Sequence, residues 1–194
     1  MVLHSGHPPP PSRPTRDSDP LRQALTKGAQ HLTQTQKIAP CLWFDGQALE
    51  AAEFYTSVFA NSRIDHIMRS GHDWPAGKAG DVILVEFTLD GVAHQALNGG
   101  PSQTFSEAVS LSVVCEDQAE LDRIWNGLLA GGGEEVQCGW LRDRFGMRWQ
   151  LVPRIYWQMI HEGTQEQVTR VMAAMFAMVK FDIAALEEAF DAGA

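Results

Sequence analysis

The feature that most restricts how this chain folds is an internal repeat. Residues 39–59, APCLWFDGQALEAAEFYTSVF, and residues 109–129, VSLSVVCEDQAELDRIWNGLL, follow one plan. Each opens with a short apolar run and continues into a segment whose apolar residues recur every three or four positions. In the first copy these are Leu49, Ala52, Phe54, Tyr55, Val58 and Phe59, after a turn at Asp45-Gly46. That pattern predicts a strand, a tight turn and an amphipathic helix. Setting Gln47 on Gln118 places Ala48 on Ala119, Phe54 on Trp125 and Val58 on Leu129. A second echo links LDGVAHQAL, residues 89–97, to DRFGMRWQLV, residues 143–152; setting Gly91 on Gly146 places Gln95 on Gln150. Two similar units in one chain imply two packing modules that share a core.

Between the repeats the reading is β. Arg63–Arg69 alternates as a strand, with Ile64, His66 and Met68 on one face and Arg63, Asp65, Ile67 and Arg69 on the other. A loop over 71–80 either covers a pocket or is a plain hairpin connection. Residues 81–89 read as a strand, Asp90-Gly91 as a two-residue hairpin turn, and Val92–Asn98 as the returning strand. The second unit repeats the order. It has a strand over 109–115 and a helix over 118–130 capped by Asp117 and ended by Gly131-Gly132-Gly133. Strands follow over 134–138, 140–143 and 147–153. Beyond 153 the pattern is helical. Thr164 and Gln167 make a capping box, Val168, Val171, Met172, Met175, Phe176 and Val179 form an apolar stripe, and Asp182 caps a last helix. The expected fold class is α+β, paired β-α-β-β-β units with added C-terminal helices. The expected organisation is a flexible extension over 1–36, a body over 37–153 and a helical extension over 154–194. Within the first segment Leu21, Leu25 and Leu32 allow a short helix over 20–32.

Composition narrows the function. The net charge is -9, and residues 1–36 carry four Lys or Arg against two Asp, so the remainder stands at -11. An acidic body repels phosphate backbones, and no nucleic-acid partner is expected. No apolar run approaches the roughly 18 residues of a membrane span, and the start of the chain lacks a signal peptide's apolar centre. A soluble, cytoplasmic protein with no membrane partner is expected. Three cysteines without close spacing do not make a disulfide framework or a zinc site, and Cys41 and Cys115 are expected to be small buried apolar groups. There is no nucleophile elbow, no His-Glu-x-x-His and no Cys-x-x-Cys, so no catalytic residue is assigned. His66, His72, His94 and Glu86 are acid–base candidates or ordinary surface and edge residues.

The repeated units resemble the vicinal oxygen chelate superfamily, which includes glyoxalase I, extradiol dioxygenases and bleomycin-resistance proteins, and within it the PhnB-like branch. The resemblance rests on LWFDG (42–46), AAEFY (51–55), ALNGGP (96–101), CEDQAELD (115–122), CGWLRDRFG (138–146), WQLVPR (149–154) and VMAAMFAMVKFDIAALEEA (171–189). It implies a glyoxalase-like cup lined by two curved sheets. The metal positions that it carries over fall on Gln95, Gln150, Ser110 and either Ala39 or Pro40. Divalent transition metals favour imidazole, carboxylate or thiolate, so no metal and no cofactor are expected there. Strand alternation turns His94 away.

A cup without metal still binds. With Gln95 and Gln150 inward, alternation sends Cys41, Trp43, Leu97, Ser110, Ser112, Arg148 and Val152 the same way, and Leu42, Phe44, Leu111 and Val113 towards the helices. The candidate ligand-binding residues are Cys41, Trp43, Gln95, Ser110, Ser112, Arg148 and Gln150. They suit a small organic molecule with an anionic or carbonyl group. The bland alternative makes Trp43 a plug and the glutamines satisfied polar groups at a sheet closure. Arg148, the only positive charge expected there, needs an anion, and Glu86 is the expected protein partner. A homodimer is expected. The competing functions are a metal-dependent lyase, isomerase or dioxygenase, and a dimeric interaction module using the methionine-rich helices. The branch's customary methyltransferase label is set aside, because no Gly-x-Gly follows a strand and hairpin-ordered strands do not build that fold.

Limited proteolysis is expected to remove residues 1 to about 19, which are polar and proline-rich, without lowering the melting temperature. A drop of several degrees would show that this segment packs on the body.

Overall fold

In the first unit β1 (Cys41–Phe44) leads through Asp45-Gly46 into α1 (Ala48–Val58). The structure, a computed structural model, describes residues 36–193. The expected extension up to residue 35, with its helix over 20–32, lies outside them. Gly46 takes φ +84°, a left-handed conformation open to glycine, and this aims the helix back over the sheet. The first turn of α1 has no capping side chain of its own. Buried Asn98 serves it from the end of another strand. Its Oδ1 accepts from the Ala48 N–H at 2.9 Å, and its Nδ2 donates to the Val82 carbonyl at 2.9 Å.

β2 (Arg63–Arg69), β3 (Val82–Leu89) and β4 (Val92–Asn98) complete a sheet ordered β1-β4-β3-β2, with β1 parallel to β4. The β3–β4 turn holds Asp90 at φ +43° and Gly91 at φ +77°, the left-handed pair that a two-residue hairpin requires. The loop over 71–80 extends the β2–β3 hairpin, with Ser70 and Asp81 paired and Trp74 bridged to Gly77. The second unit has β5 (Leu111–Cys115), α2 (Gln118–Leu129), β6 (Glu134–Glu135), β7 (Trp140–Arg142) and β8 (Arg148–Pro153), ordered β5-β8-β7-β6. Asp117 caps α2 by accepting from the Glu120 N–H at 2.8 Å.

Three strand expectations need correction. β2 does not alternate cleanly. Its pairing with β3 slips between Ile64 and His66 and again at Met68–Arg69, so Ile64 and Ile67 both pack on the core while Met68 is exposed. β6 is two residues long, not five. Residues 138 and 139 instead donate to the Met178 and Val179 carbonyls at 2.9 and 2.7 Å. β5 begins at Leu111, two residues late.

Three helices follow: α3 (Arg154–Glu162), α4 (Gln165–Phe176) and α5 (Ile183–Asp191). Thr164 and Gln167 form the reciprocal capping box, and Asp182 caps α5. The helices dock on the second unit. Gln118 bridges the Phe181 carbonyl and the Ile183 N–H, and Lys180 pairs with Asp122 at 2.5 Å. The methionine-rich stripe is split: Val171 and Met175 are buried, while Met172 and Phe176 stay exposed.

The helix-facing sides of both sheets share one core. Tyr55 of α1 and Phe59 just beyond it each meet the Trp149 ring of β8 at 5.3 Å. Beside them lies Asp143, 2% exposed. Its Oδ2 accepts from the Tyr55 hydroxyl and the Trp149 indole, both at 2.8 Å. Its Oδ1 accepts from the Phe145 and Met147 N–H groups at 2.9 and 3.0 Å.

Replacing that carboxylate puts an amide N–H₂ against one pair of donors. Asp143→Asn should lower the unfolding free energy by about 1–3 kcal/mol. Tyr55→Phe, which leaves three donors in place, should cost about 1 kcal/mol. Urea denaturation measures both, and an Asp143→Asn protein as stable as wild type would remove Asp143 as the joint between the units.

Candidate functional site

Strand register aligns the two units at the level of single residues. Cys41 stands opposite Gln95 on β1–β4, and Ser112 stands opposite Gln150 on β5–β8. Gln95 therefore corresponds to Gln150 and Cys41 to Ser112. Counting back, Ala39, not Pro40, corresponds to Ser110. The face assignment follows. Leu42 and Phe44 are buried under the helices, and Leu111 and Val113 pack on the same core. Cys41 and Ser112 are exposed on the other side, and Trp43, Gln95, Arg148 and Gln150 are half-buried there. Two residues depart from the expectation: Cys41 is not a buried thiol, because it lies on this open face, and Val152 is only 5% exposed.

Trp43 is fixed by a glycine pair. Its indole N–H donates to the Gly100 carbonyl at 2.8 Å, and its ring lies so close to Gly99 that a Cβ there would come within 2.1 Å of it. Gln150 donates to the Ser110 hydroxyl at 2.6 Å, which ties two of the candidate residues together. Arg148 pairs with Glu107 at 2.5 Å, not with Glu86. Glu86 sits on β3 opposite Gln95 and His66. Glu107 lies in the segment between β4 and β5, which has no strand periodicity to place it.

Trp43 and Arg148, from different units, line one groove of 390 Å³. Arg142, Arg144, Phe105 and Phe145 line it with them, so Arg148 is not the only positive charge there. Each arginine is answered by an exposed carboxylate: Arg142 by Glu134, Arg144 by Glu50 and Arg148 by Glu107. Arg144 also lies 4.7 Å from the Phe54 ring centre and 4.8 Å from that of Phe145. Cys41, Gln95, Ser110 and Gln150 do not line this groove, and Ser112 lines another at the seam between the sheets. Arg142 could have been found from the sequence, since it pairs directly with Arg148 across β7–β8. Phe105 could not, for the same reason as Glu107.

The metal positions implied by family resemblance become Ala39, Gln95, Ser110 and Gln150, a set with one apolar member and no imidazole or carboxylate. Among the described residues no three His, Cys, Asp or Glu gather where they could hold a metal ion. This donor set does not fit a divalent transition metal. Nor is either strand thiol activated. Partial desolvation by its neighbours raises the pKa of Cys41 although the residue is exposed, and burial, with nearby carboxylates adding to it, pushes that of Cys115 up to about 12. Among the described residues no helix is long and apolar enough to cross a membrane.

The family model for 3-demethylubiquinone-9 3-methyltransferase matches residues 36–152. No curated protein matches the chain. Among solved structures, the PhnB protein of Bacillus cereus, assigned by name as a 3-demethylubiquinone-9 3-methyltransferase, is similar at 38% identity and a TM-score of 0.56, over 61% of this chain and 99% of that one. Protein PA1353 from Pseudomonas aeruginosa is similar at 22% identity and a TM-score of 0.51, over 61% and 98%. A glyoxalase/bleomycin resistance protein from Albidiferax ferrireducens shares 12% identity at a TM-score of 0.42, over 60% and 96%. The chain belongs to the 3-demethylubiquinone-9 3-methyltransferase family, the PhnB-like one.

Proposed function

We propose that this protein binds a small organic molecule bearing an anionic or carbonyl group, without a metal, on the open face of its sheets. The groove shared by Trp43 and Arg148 is the centre of the site. Cys41, Gln95, Ser110, Ser112 and Gln150 extend the contact along that face. The observation that carries this reading is the gathering of Arg142, Arg144 and Arg148 around an aromatic wall, each held by a carboxylate that solvent reaches. Exposed ion pairs contribute little stability. An incoming anion can therefore take over a guanidinium from Glu107, which is 82% exposed, while Arg148 stays in place at 17% exposure. The ligand's apolar part then lies against Trp43 and Phe105. The proposed working form is a homodimer.

Methyl transfer, the activity in the family's description, draws no support from this arrangement. That chemistry needs a close backbone approach to a methyl donor, usually at a glycine-rich turn from strand to helix in an alternating parallel sheet. Both sheets here are hairpin-built, and the Gly131–Gly133 run follows a helix.

Calorimetric titration with benzoate, phenylpyruvate and phenylphosphonate tests the site. At least one should bind, and Arg148→Ala should weaken it about tenfold or more with little change in melting temperature. Failure of all three to bind, or binding indifferent to Arg148→Ala, overturns the reading. For metal, the purified protein should carry well below one equivalent of zinc, nickel, iron or manganese, and EDTA should leave its melting temperature unchanged. One equivalent of metal that is lost in Gln150→Ala would replace this proposal with the metal-dependent one.

A further inference from the structure

We propose a second binding site, at the seam between the two sheets, for a neutral and mostly apolar molecule that carries a hydroxyl donor. The starting observation is His94 on β4. Its side chain lies on the helix side of the sheet, away from Gln95, and the residue is 6% exposed. The ring leans on Phe87 at 5.5 Å. Nδ1 lies 2.9 Å from the Val92 carbonyl oxygen, which can only accept, so Nδ1 carries the proton of the neutral ring. Nε2 is then a bare acceptor, and it has no partner among the described residues. Burial also holds His94 below the ordinary histidine pKa, which favours the neutral ring. The residue is largely buried, but Nε2 itself is not sealed off: it opens on a groove, where a donor from water or from a ligand can reach it.

His94 lines a groove of 430 Å³ that has room for one. Phe59, Ile124 and Trp149 contribute apolar surface to it, and β5, the outer strand of its sheet, runs along one side. The charged groups of the groove explain why the ligand is neutral. Arg154 gives two nitrogens to Glu116. Arg123 donates to the Val58 carbonyl at 2.7 Å and has Glu120 at 3.9 Å. Asp90 adds a further negative charge. Three carboxylates against two guanidinium groups make the groove net negative, which disfavours an anion. The surface around His94 favours an alkyl or aryl body over a hydrated cation. A hydroxyl donating to Nε2, with its hydrocarbon part against Phe59 and Trp149, satisfies both features. The pocket is separate from the Trp43–Arg148 groove and does not depend on what binds there.

The probe is p-cresol, compared with its methyl ether 4-methylanisole, which has the same ring but no donor. Both are titrated into the full chain while long-range proton–nitrogen NMR follows the imidazole nitrogens. Saturable p-cresol binding should shift His94 Nε2. The ether should bind about fivefold or more weakly, His94→Phe should remove the difference, and Arg148→Ala should leave it intact. Equal affinity for the two probes, no saturable p-cresol binding, or a response at Trp43 in place of His94 each overturns the proposal. The comparison of two probes on the wild-type chain keeps the test decisive even where His94→Phe folds poorly.

Discussion

The placement of one unit against the other depends on a buried carboxylate. Asp143 gathers four donors: a phenol from α1, an indole from β8 and two backbone N–H groups from its own turn. Burial and donors pull its pKa in opposite directions, and burial wins, leaving it above the ordinary aspartate value. The Tyr55 phenol is pushed well up in turn, by its own burial first and by Asp143 second, so it stays a donor. A network of this kind rigidifies when every member is satisfied. Because it binds α1 to the turn before β8, it also sets where Arg144, Phe145 and Arg148 stand relative to β1. The groove between Trp43 and Arg148 is thus a consequence of a contact in the core behind it.

The near-symmetry of the two units makes their differences informative. The register that equates Gln95 with Gln150 also equates Trp43 with Val114 and Gly99 with Arg154. In the first unit the chain leaves the last strand through glycines, and Gly99 gives the Trp43 ring the space that a side chain would fill. In the second unit the chain passes at the same point into α3, with Val114 at the position of the tryptophan. One fold thus yields an aromatic wall on one sheet and an arginine on the other. A groove built from both is polarised, apolar at one side and cationic at the other.

What was legible in the sequence was whatever repeats with a backbone period. The two-unit plan, the Asp90-Gly91 turn, the caps at Asp117, Thr164 and Asp182, and the inward and outward faces of β1, β4 and β8 up to Leu151 all follow from periods of 2 and 3.6 or from turn chemistry. The failures lie where tertiary bonds override that pattern. β2 bulges near Asp65, and the strand expected over 134–138 gives up its end to Met178 and Val179. Glu107 and Phe105 sit in a segment with no period at all, which is why the strand pattern points to Glu86 and not to Glu107 as the partner of Arg148. Asp143 was visible as part of a motif, but nothing local says that an aspartate between two arginines turns inward to a tyrosine 88 residues away.

Charge of this kind bears on the chemistry that such a groove can do. A divalent metal in a cup polarises a bound oxygen and lowers the pKa of a coordinated water. A guanidinium supplies a fixed positive charge and a planar fork of donors, but it has no open coordination position and no proton to give up near neutral pH. With Ala39, Gln95, Ser110 and Gln150 at the positions where ligands would be needed, what the proposed site offers an anion is the charge and hydrogen-bonding fork of its arginines. Its groups are built to hold a molecule. Among the described residues that line the Trp43–Arg148 groove, the carboxylate available for proton transfer is Asp45.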